Sequence, residues 1–407
     1  MLENTWIAKA VGTRWSAMRR QTVLGLSAAM LLGAAGTATA AEPIKIGLVA
    51  ALSGQSALSG QAITRGLELA IDEINAKGGL LGGRPVTLIR RDDESNPAKG
   101  VLAARELIYK EKVVALFGGL DTPVSMAIVP LVNQEKVPFM GPWAAGTPVT
   151  KNGAKPNFAF RVSAVDEIVS VAMLEYSSKT FGVKKPGLML VNNPWGESNE
   201  KGLAVAMKDK GVTAAGIEKF EGNDLDMVPQ LSRLKDAGAD GIFLVGNVGP
   251  SAQVVKSLTR MGWKVPIVSH WGPAGGRFTE LAGPDAKSVH FVQTYSFLGD
   301  QSAKGKAITT ALMAKYDDIK GPEDITPAVG VANAYDGMHL TALAIEAAGS
   351  TEGPAVQQGF YKIEQYDGLI KQYSKPFSPE VHDAIGPSDY VWAQFIDNKI
   401  LPVGTEK

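Results

Sequence analysis

"GLVAALSGQSALSGQAITRGLELAIDEIN", residues 47–75, changes its period halfway. It begins as an apolar run and breaks into two Ser-Gly steps. It then resumes with Ile63, Leu67, Ala70, Ile71 and Ile74. An apolar run bounded by turn residues reads as a buried strand, and apolar positions three or four apart read as one face of a helix. The small polar loop between them packs neither element. It is a plain turn, or something lies against it.

The same strand, loop and helix order recurs along the chain. "IKIGLVAAL" leads to a helix over 61–77, "PVTLIRRD" to one over 97–110, and "VVALFG" to one over 123–135, with "VPFMG" closing the series. After "NFAFRVSA" the order restarts: "GLMLVN" and a helix over 197–210, "TAAGIEKF" and 227–237, "GIFLVG" and 250–262, then "VPIVSH". Strands alternating with helices of this length imply parallel sheets with right-handed crossovers. The expectation is an α/β protein of two doubly wound parallel-sheet lobes joined by a hinge of extended chain near Phe160–Ser163. Further helices are expected over 305–316 and 334–349. "YVWAQFIDNKILPV" reads as a late strand pair turning at Asp397-Asn398. Ligands of such sheets bind beyond the carboxyl ends of the strands. The Ser-Gly loop then falls at the rim of a cleft, where small residues let a ligand or the other lobe come close.

The composition narrows the use of that cleft. At 407 residues the chain is long enough for two cores. The 41 basic and 41 acidic residues cancel, which argues against a nucleic-acid partner. There is no cysteine, so disulfides, thiolate chemistry and Cys-built metal sites are excluded. Residues 1–40 read as a signal peptide: Arg19 and Arg20, an apolar stretch from Val23 to Ala35, then small residues with the cut after Ala40 or Ala41. That stretch falls short of the ~20 residues that span a bilayer. An exported protein of a bacterial periplasm is expected.

Nothing in the residues asks for catalysis. The four histidines lack metal-ligand spacing, and the sequence holds no nucleophile elbow, phosphate loop or dinucleotide fingerprint. No cofactor and no metal are expected. "RRDDESNP" reads as a strand end, a turn and a helix start. "FGGLDTPVSMAIVP" offers Thr122 as N-cap and Pro123 as first helical residue. Such a helix start favours a carboxylate, and equally serves as plain capping. Trp143, Trp195 and Trp271 each directly follow an apolar strand beside Gly or Pro. They are structural plugs, or a wall gripping something flat or apolar whose loss would spare the empty fold.

Six stretches, among them "IKIGLVAALSGQSALSGQAITRGLELAIDEINAKGGLLGG", "LVNNPWGES" and "KPFSPEVHDA", occur in order over nearly all of the mature chain. The chain resembles the type I periplasmic solute-binding proteins, specifically the leucine/isoleucine/valine-binding protein family of ABC importers. The resemblance implies three crossings between lobes, with lobe one at 41–161 and 295–387 and lobe two at 162–294 and 388–407. It implies a monomer that closes on a small-molecule ligand and delivers it to an ABC permease. Its ligand contacts would fall on Ser59, Leu120, Asp121, Thr122, Trp143, Ala144 and Ala145 in lobe one, and on Trp195, Asn247 and Trp271 in lobe two. Ser59 replaces the family's Tyr, Ala145 its Thr, and Trp271 the acid that pairs with a ligand ammonium. A buried ammonium without a carboxylate is costly. The ligand is then a carboxylate-bearing solute, an amino acid only if Asp121 has taken over the pairing; Asp121 is equally a solvated helix-start charge. Delivery to a permease and presentation to a signalling partner both fit such a clamp, with a cleft hydrolase a remote third.

Overall fold

The computed structural model describes residues 42–404. The signal peptide expected over 1–40 lies outside the described residues.

Five parallel strands form the first sheet: β1 (Ile44–Ala50), β2 (Val86–Asp92), β3 (Ala115–Gly118), β4 (Phe139–Gly141) and β5 (Ala159–Arg161), in the order β2-β1-β3-β4-β5. The second sheet repeats that order with β6 (Pro186–Val191), β7 (Gly216–Phe220), β8 (Gly241–Val245), β9 (Ile267–Ser269) and β10 (Val289–Gln293), giving β7-β6-β8-β9-β10. A small antiparallel pair, β11 (Gln365–Asp367) and β12 (Gln372–Ser374), stands apart. β13 (Val391–Ile396) and β14 (Lys399–Pro402) then extend the second sheet antiparallel from β10. Asp397 and Asn398 turn between them with φ of 48° and 62°. Two consecutive left-handed residues make the two-residue turn whose twist matches a hairpin. The expected two-lobed α/β architecture is observed.

Burial explains why these segments became strands. β6 and β8 are buried along their whole length, as parallel strands covered by helices on both faces must be. Helices after β1 and β6 start so close to the strand end that glycine is required there. A Cβ on Gly60 would lie 2.0 Å from the Ala51 carbonyl oxygen, and one on Gly196 1.7 Å from that of Val191. The chain passes between sheets after β5, after β10 and before β13. Between the last two crossings, the buried helix Ala328–Ala348 packs against helix Ala57–Ala76 of the first lobe.

Two local readings are corrected. The helix expected over 97–110 is α-helical over Pro97–Glu106 and continues as a π-turn over Leu107–Glu111, which ends at Lys112 in the left-handed region. The helix after β3 is Thr122–Glu135 with Asp121 as its N-cap residue, so Thr122 is already helical. Its hydroxyl is drawn away to accept from the Gly146 N–H at 3.1 Å. Among the described residues no helix is long and apolar enough to cross a membrane.

Candidate ligand-binding cleft

A cavity of about 410 Å³ lies where the carboxyl ends of the two sheets face each other. Every strand that meets it contributes the residues just past its end. From the first sheet come Ser53 to Ser56 and Ser59 after β1, Glu94 and Ser95 after β2, Leu120 after β3 and Trp143 after β4. From the second come Asn193 after β6, Gly222 after β7, Asn247 to Pro250 after β8, and Gly272 and Gly275 after β9. The Ser-Gly loop thus has something against it: the opposite lobe and the cavity. Helices Ala57–Ala76, Thr122–Glu135, Pro194–Lys210 and Val248–Arg260 begin around this space. Their amino ends bring N–H groups and positive potential to it.

The lobes are bonded to each other across the cleft. Ser59 Oγ donates to the Gly275 carbonyl at 2.8 Å, and Asn247 Nδ2 to Asp121 Oδ1 at 3.0 Å. Thr147 N donates to Ser198 Oγ at 3.0 Å, and Asp166 N to the Ala145 carbonyl at 2.9 Å. Trp143 and Trp271 meet between the lobes with their rings tilted by 43° and centroids 5.6 Å apart.

A family model for periplasmic binding proteins matches residues 43–389. The chain belongs to the periplasmic binding protein family. It is 25% identical over 331 residues to a Leu/Ile/Val-binding protein homolog of Brucella melitensis, covering 81% of this chain and 86% of that one. A periplasmic binding protein type 1 from Bordetella pertussis shares the fold with a TM-score of 0.81 at 26% identity, over 89% of this chain and 99% of that chain. So does a branched-chain amino acid transporter substrate binding protein from Streptococcus pneumoniae, solved with isoleucine: TM-score 0.75, 25% identity, 88% and 98% covered. As a periplasmic binding protein, the chain is a solute-binding protein and not an enzyme.

Of the ten residues singled out in the sequence, Ser59, Leu120, Trp143 and Asn247 line the cavity of this periplasmic binding protein. The others stand behind them. Asp121 faces Asn247; its Oδ2 is buried with no partner among the described residues. Desolvation raises the Asp121 carboxyl above its ordinary range, against hydrogen bonds from Ser95 and Asn247 that lower it. Thr122 is buried against Gly146. Ala144 and Ala145 are buried and act through their carbonyls, which accept from Arg161 Nη1 at 3.1 Å and Asp166 N at 2.9 Å. Trp195 and Trp271 are 6% and 1% exposed. They continue an aromatic ribbon: Trp143 to Trp271, Trp271 to His270 at 5.4 Å, His270 to Trp195 at 5.2 Å. Such rings belong to the core as much as to the site.

Sequence reasoning missed the floor beneath that ribbon. Asp166, fully buried at a helix start, accepts from Trp195 Nε1 at 3.1 Å. His270 Nδ1 accepts the Trp271 N–H, which leaves the ring hydrogen on Nε2, 3.1 Å from Asp166 Oδ1 but outside hydrogen-bond geometry. In sequence, Asp166 looks like any helix-start acid, and His270 lacked a spaced partner. Gln55, Glu94, Ser95 and Asn193 were also missed as lining residues. The "DES" triplet did signal an irregular backbone: Glu94 and Ser95 are left-handed, at φ 51° and 57°. Among the described residues no group of three or more His, Asp or Glu could hold a metal ion.

Proposed function

We propose that this periplasmic binding protein is the exported component of an ABC importer that captures a small carboxylate-bearing solute with an apolar or aromatic body. The carrying observation is the cavity at the carboxyl ends of both sheets, with Ser59, Asn247 and Thr147 bonding the two sides together. Capture is by closure of two lobes, 41–161 with 295–387 and 162–294 with 388–407, over the bound solute. Export uses the signal peptide at 1–40, and the closed monomer hands its ligand to the permease.

The carboxylate is placed at the Thr122 helix start. Asp121, at its N-cap position, gives that helix no side-chain cap, so first-turn N–H groups remain as donors for an anion. Glu94 is the one charged side chain among the described lining residues, so the body of the ligand meets neutral groups. An isoleucine-bound relative supports a small carboxylate. Trp271 in place of the family's acid, and Asp121 already bonded to Asn247, favour an acid without the amine. A thermal-shift and calorimetry panel tests this with leucine, isoleucine and valine against benzoate and 4-methylpentanoate, the deaminated analogue of leucine. At ~100 times its Kd a ligand stabilises the fold by ~2.7 kcal/mol. The acids are expected to raise the melting temperature. Tight binding of the three amino acids with no response to the acids would overturn the reading.

A further inference from the structure

We propose that Arg161 is a positioning residue for the cleft: buried at the first crossing between lobes, it fixes the loop over 142–147 that carries Trp143. The proposal rests on the cleft being the solute site.

Arg161 ends β5 and is fully buried. Nε donates to Asp383 Oδ1 at 2.6 Å, and Nη1 to the carbonyls of Ala144 at 3.1 Å and Gly146 at 2.8 Å. Nη2 donates to Thr150 Oγ1 at 2.8 Å, and that hydroxyl donates in turn to Asp383. The neighbours along the strand, Ala159, Phe160 and Val162, are apolar and buried. A packed apolar side chain would serve stability there as well or better, since removing a charge from water is rarely repaid by its pairing. What an apolar side chain lacks is a planar fork reaching a carboxylate, two carbonyls and a hydroxyl in fixed directions. The residue is therefore read as a device for geometry.

The geometry in question is that of the site. The two carbonyls that Arg161 holds flank Ala145, whose own carbonyl accepts from Asp166 in the other lobe. The next residue, Thr147, reaches Ser198 across the cleft. On the other side, Asn333 and Ser163 bond the carbonyls of Pro142 and Trp143. Arg161 also pairs through its backbone with the segment leading to the third crossing: its N–H donates to His382 O at 2.9 Å and its carbonyl accepts from Ala384 N at 3.0 Å. One side chain thus links two of the three crossings to the loop that presents Trp143 and carries interlobe bonds. Binding sites need their groups held within about 0.5 Å, by partners that themselves do not move.

The test uses the full-length chain carrying Arg161→Lys, which keeps the charge but loses the fork, and the milder Thr150→Val. Amide hydrogen exchange is followed over 142–147 and, as reference, over β1. Exchange of the loop is expected to accelerate tenfold or more in Arg161→Lys with β1 unchanged, and less in Thr150→Val. Calorimetry with benzoate and with L-leucine is expected to show Kd raised at least tenfold for whichever probe binds wild type. Acceleration spread evenly through the first lobe, as for a merely structural residue, would overturn the proposal. So would unchanged loop exchange with Kd within twofold. If neither probe binds, the carboxylate reading fails by itself while the exchange data still decide on Arg161. If Arg161→Lys does not fold, Thr150→Val decides.

Discussion

Two hollows in this molecule invite comparison. The cleft between the sheets holds about 410 Å³; a groove on the first lobe, beside the crossings, holds about 960 Å³. The larger one is rimmed by Lys151, Lys155, Lys371 and Lys375, the obvious lure for an anion. Yet its polar floor is already spent. His382 donates through Nδ1 to Ala159 O and accepts the Tyr361 hydroxyl on Nε2, and Asp383 is bound by Arg161 and Thr150. Three of its lysines have carboxylate partners in Glu167, Asp389 and Glu364. Around the cleft, four helices begin, and Asp93, Asp121 and Asp166 each keep a buried oxygen with no partner among the described residues. Volume does not make a site. Converging strand ends and helix starts, with polar capacity left over, do.

The largest expected effect sharpens what the cleft wall is made of. Trp271 is 1% exposed and touches Trp143 and His270. Trp271→Ala is expected to lower stability by about 3–5 kcal/mol, the cost of emptying a large aromatic from a core. Denaturant unfolding of the variant measures it. A loss below ~1 kcal/mol would make the wall a removable lining, as its place in the sequence suggests, and separate it from the core.

Next in size is a pH effect under the rim of the cleft. Asp93 is fully buried, and burial pushes its carboxyl up to about 7, helped by the charges of Asp121 and Asp92 and opposed by the Ser95 N–H. The folded value lies above the unfolded one, so the native state holds the proton more tightly. Stability from this group is full below pH ~4, falls as pH rises through the window to about 7, and is level above. The fall is on the order of 4 kcal/mol. Asp93→Asn cannot ionise and should flatten that part of the profile, so it gains on wild type between pH 5 and 8 in melting experiments. Parallel profiles for the two proteins would show that Asp93 is solvated like a surface acid.

The contrast also explains what could be read from the sequence. Period and punctuation revealed both sheets, the Asp397-Asn398 turn and the loops at the cleft, because each is a local consequence of burial and turn chemistry. Trp143 followed from standing just past a strand end, whereas Ser59, Leu120 and Asn247 came from the family resemblance. Which residue of a loop faces the cavity and which supports it is decided by contacts across the chain. Thr122 gave up capping for Gly146, 24 positions on, and Arg161 found Asp383 222 positions away. Trp195 and Trp271 were visible as strand-end aromatics, but their depth is set by distant contacts: Trp195 with Asp166 and His270 of its own lobe, Trp271 with Trp143 of the other. Asp166 and His270 carried no signal, since one resembles a helix-start acid and the other has its partner 104 residues off.

The smallest expected effect falls on the groove and is the most direct challenge to the comparison. Lys155 and Lys375 are exposed on its rim, and Lys375 meets Glu364 at 3.3 Å with both side chains mostly in water. Exposed pairs of this kind contribute ~0–1 kcal/mol and weaken with salt. Lys155→Ala and Lys375→Ala, singly, should each change stability by no more than about 0.5 kcal/mol. They should also leave benzoate affinity unchanged, because neither lysine lines the cleft. The informative readout is calorimetric titration of the double variant at low and at moderate salt. A severalfold loss of benzoate affinity that salt erases in wild type would mean that the lysines recruit the anion. The groove would then belong to the path of the ligand, although the groups on its floor satisfy one another.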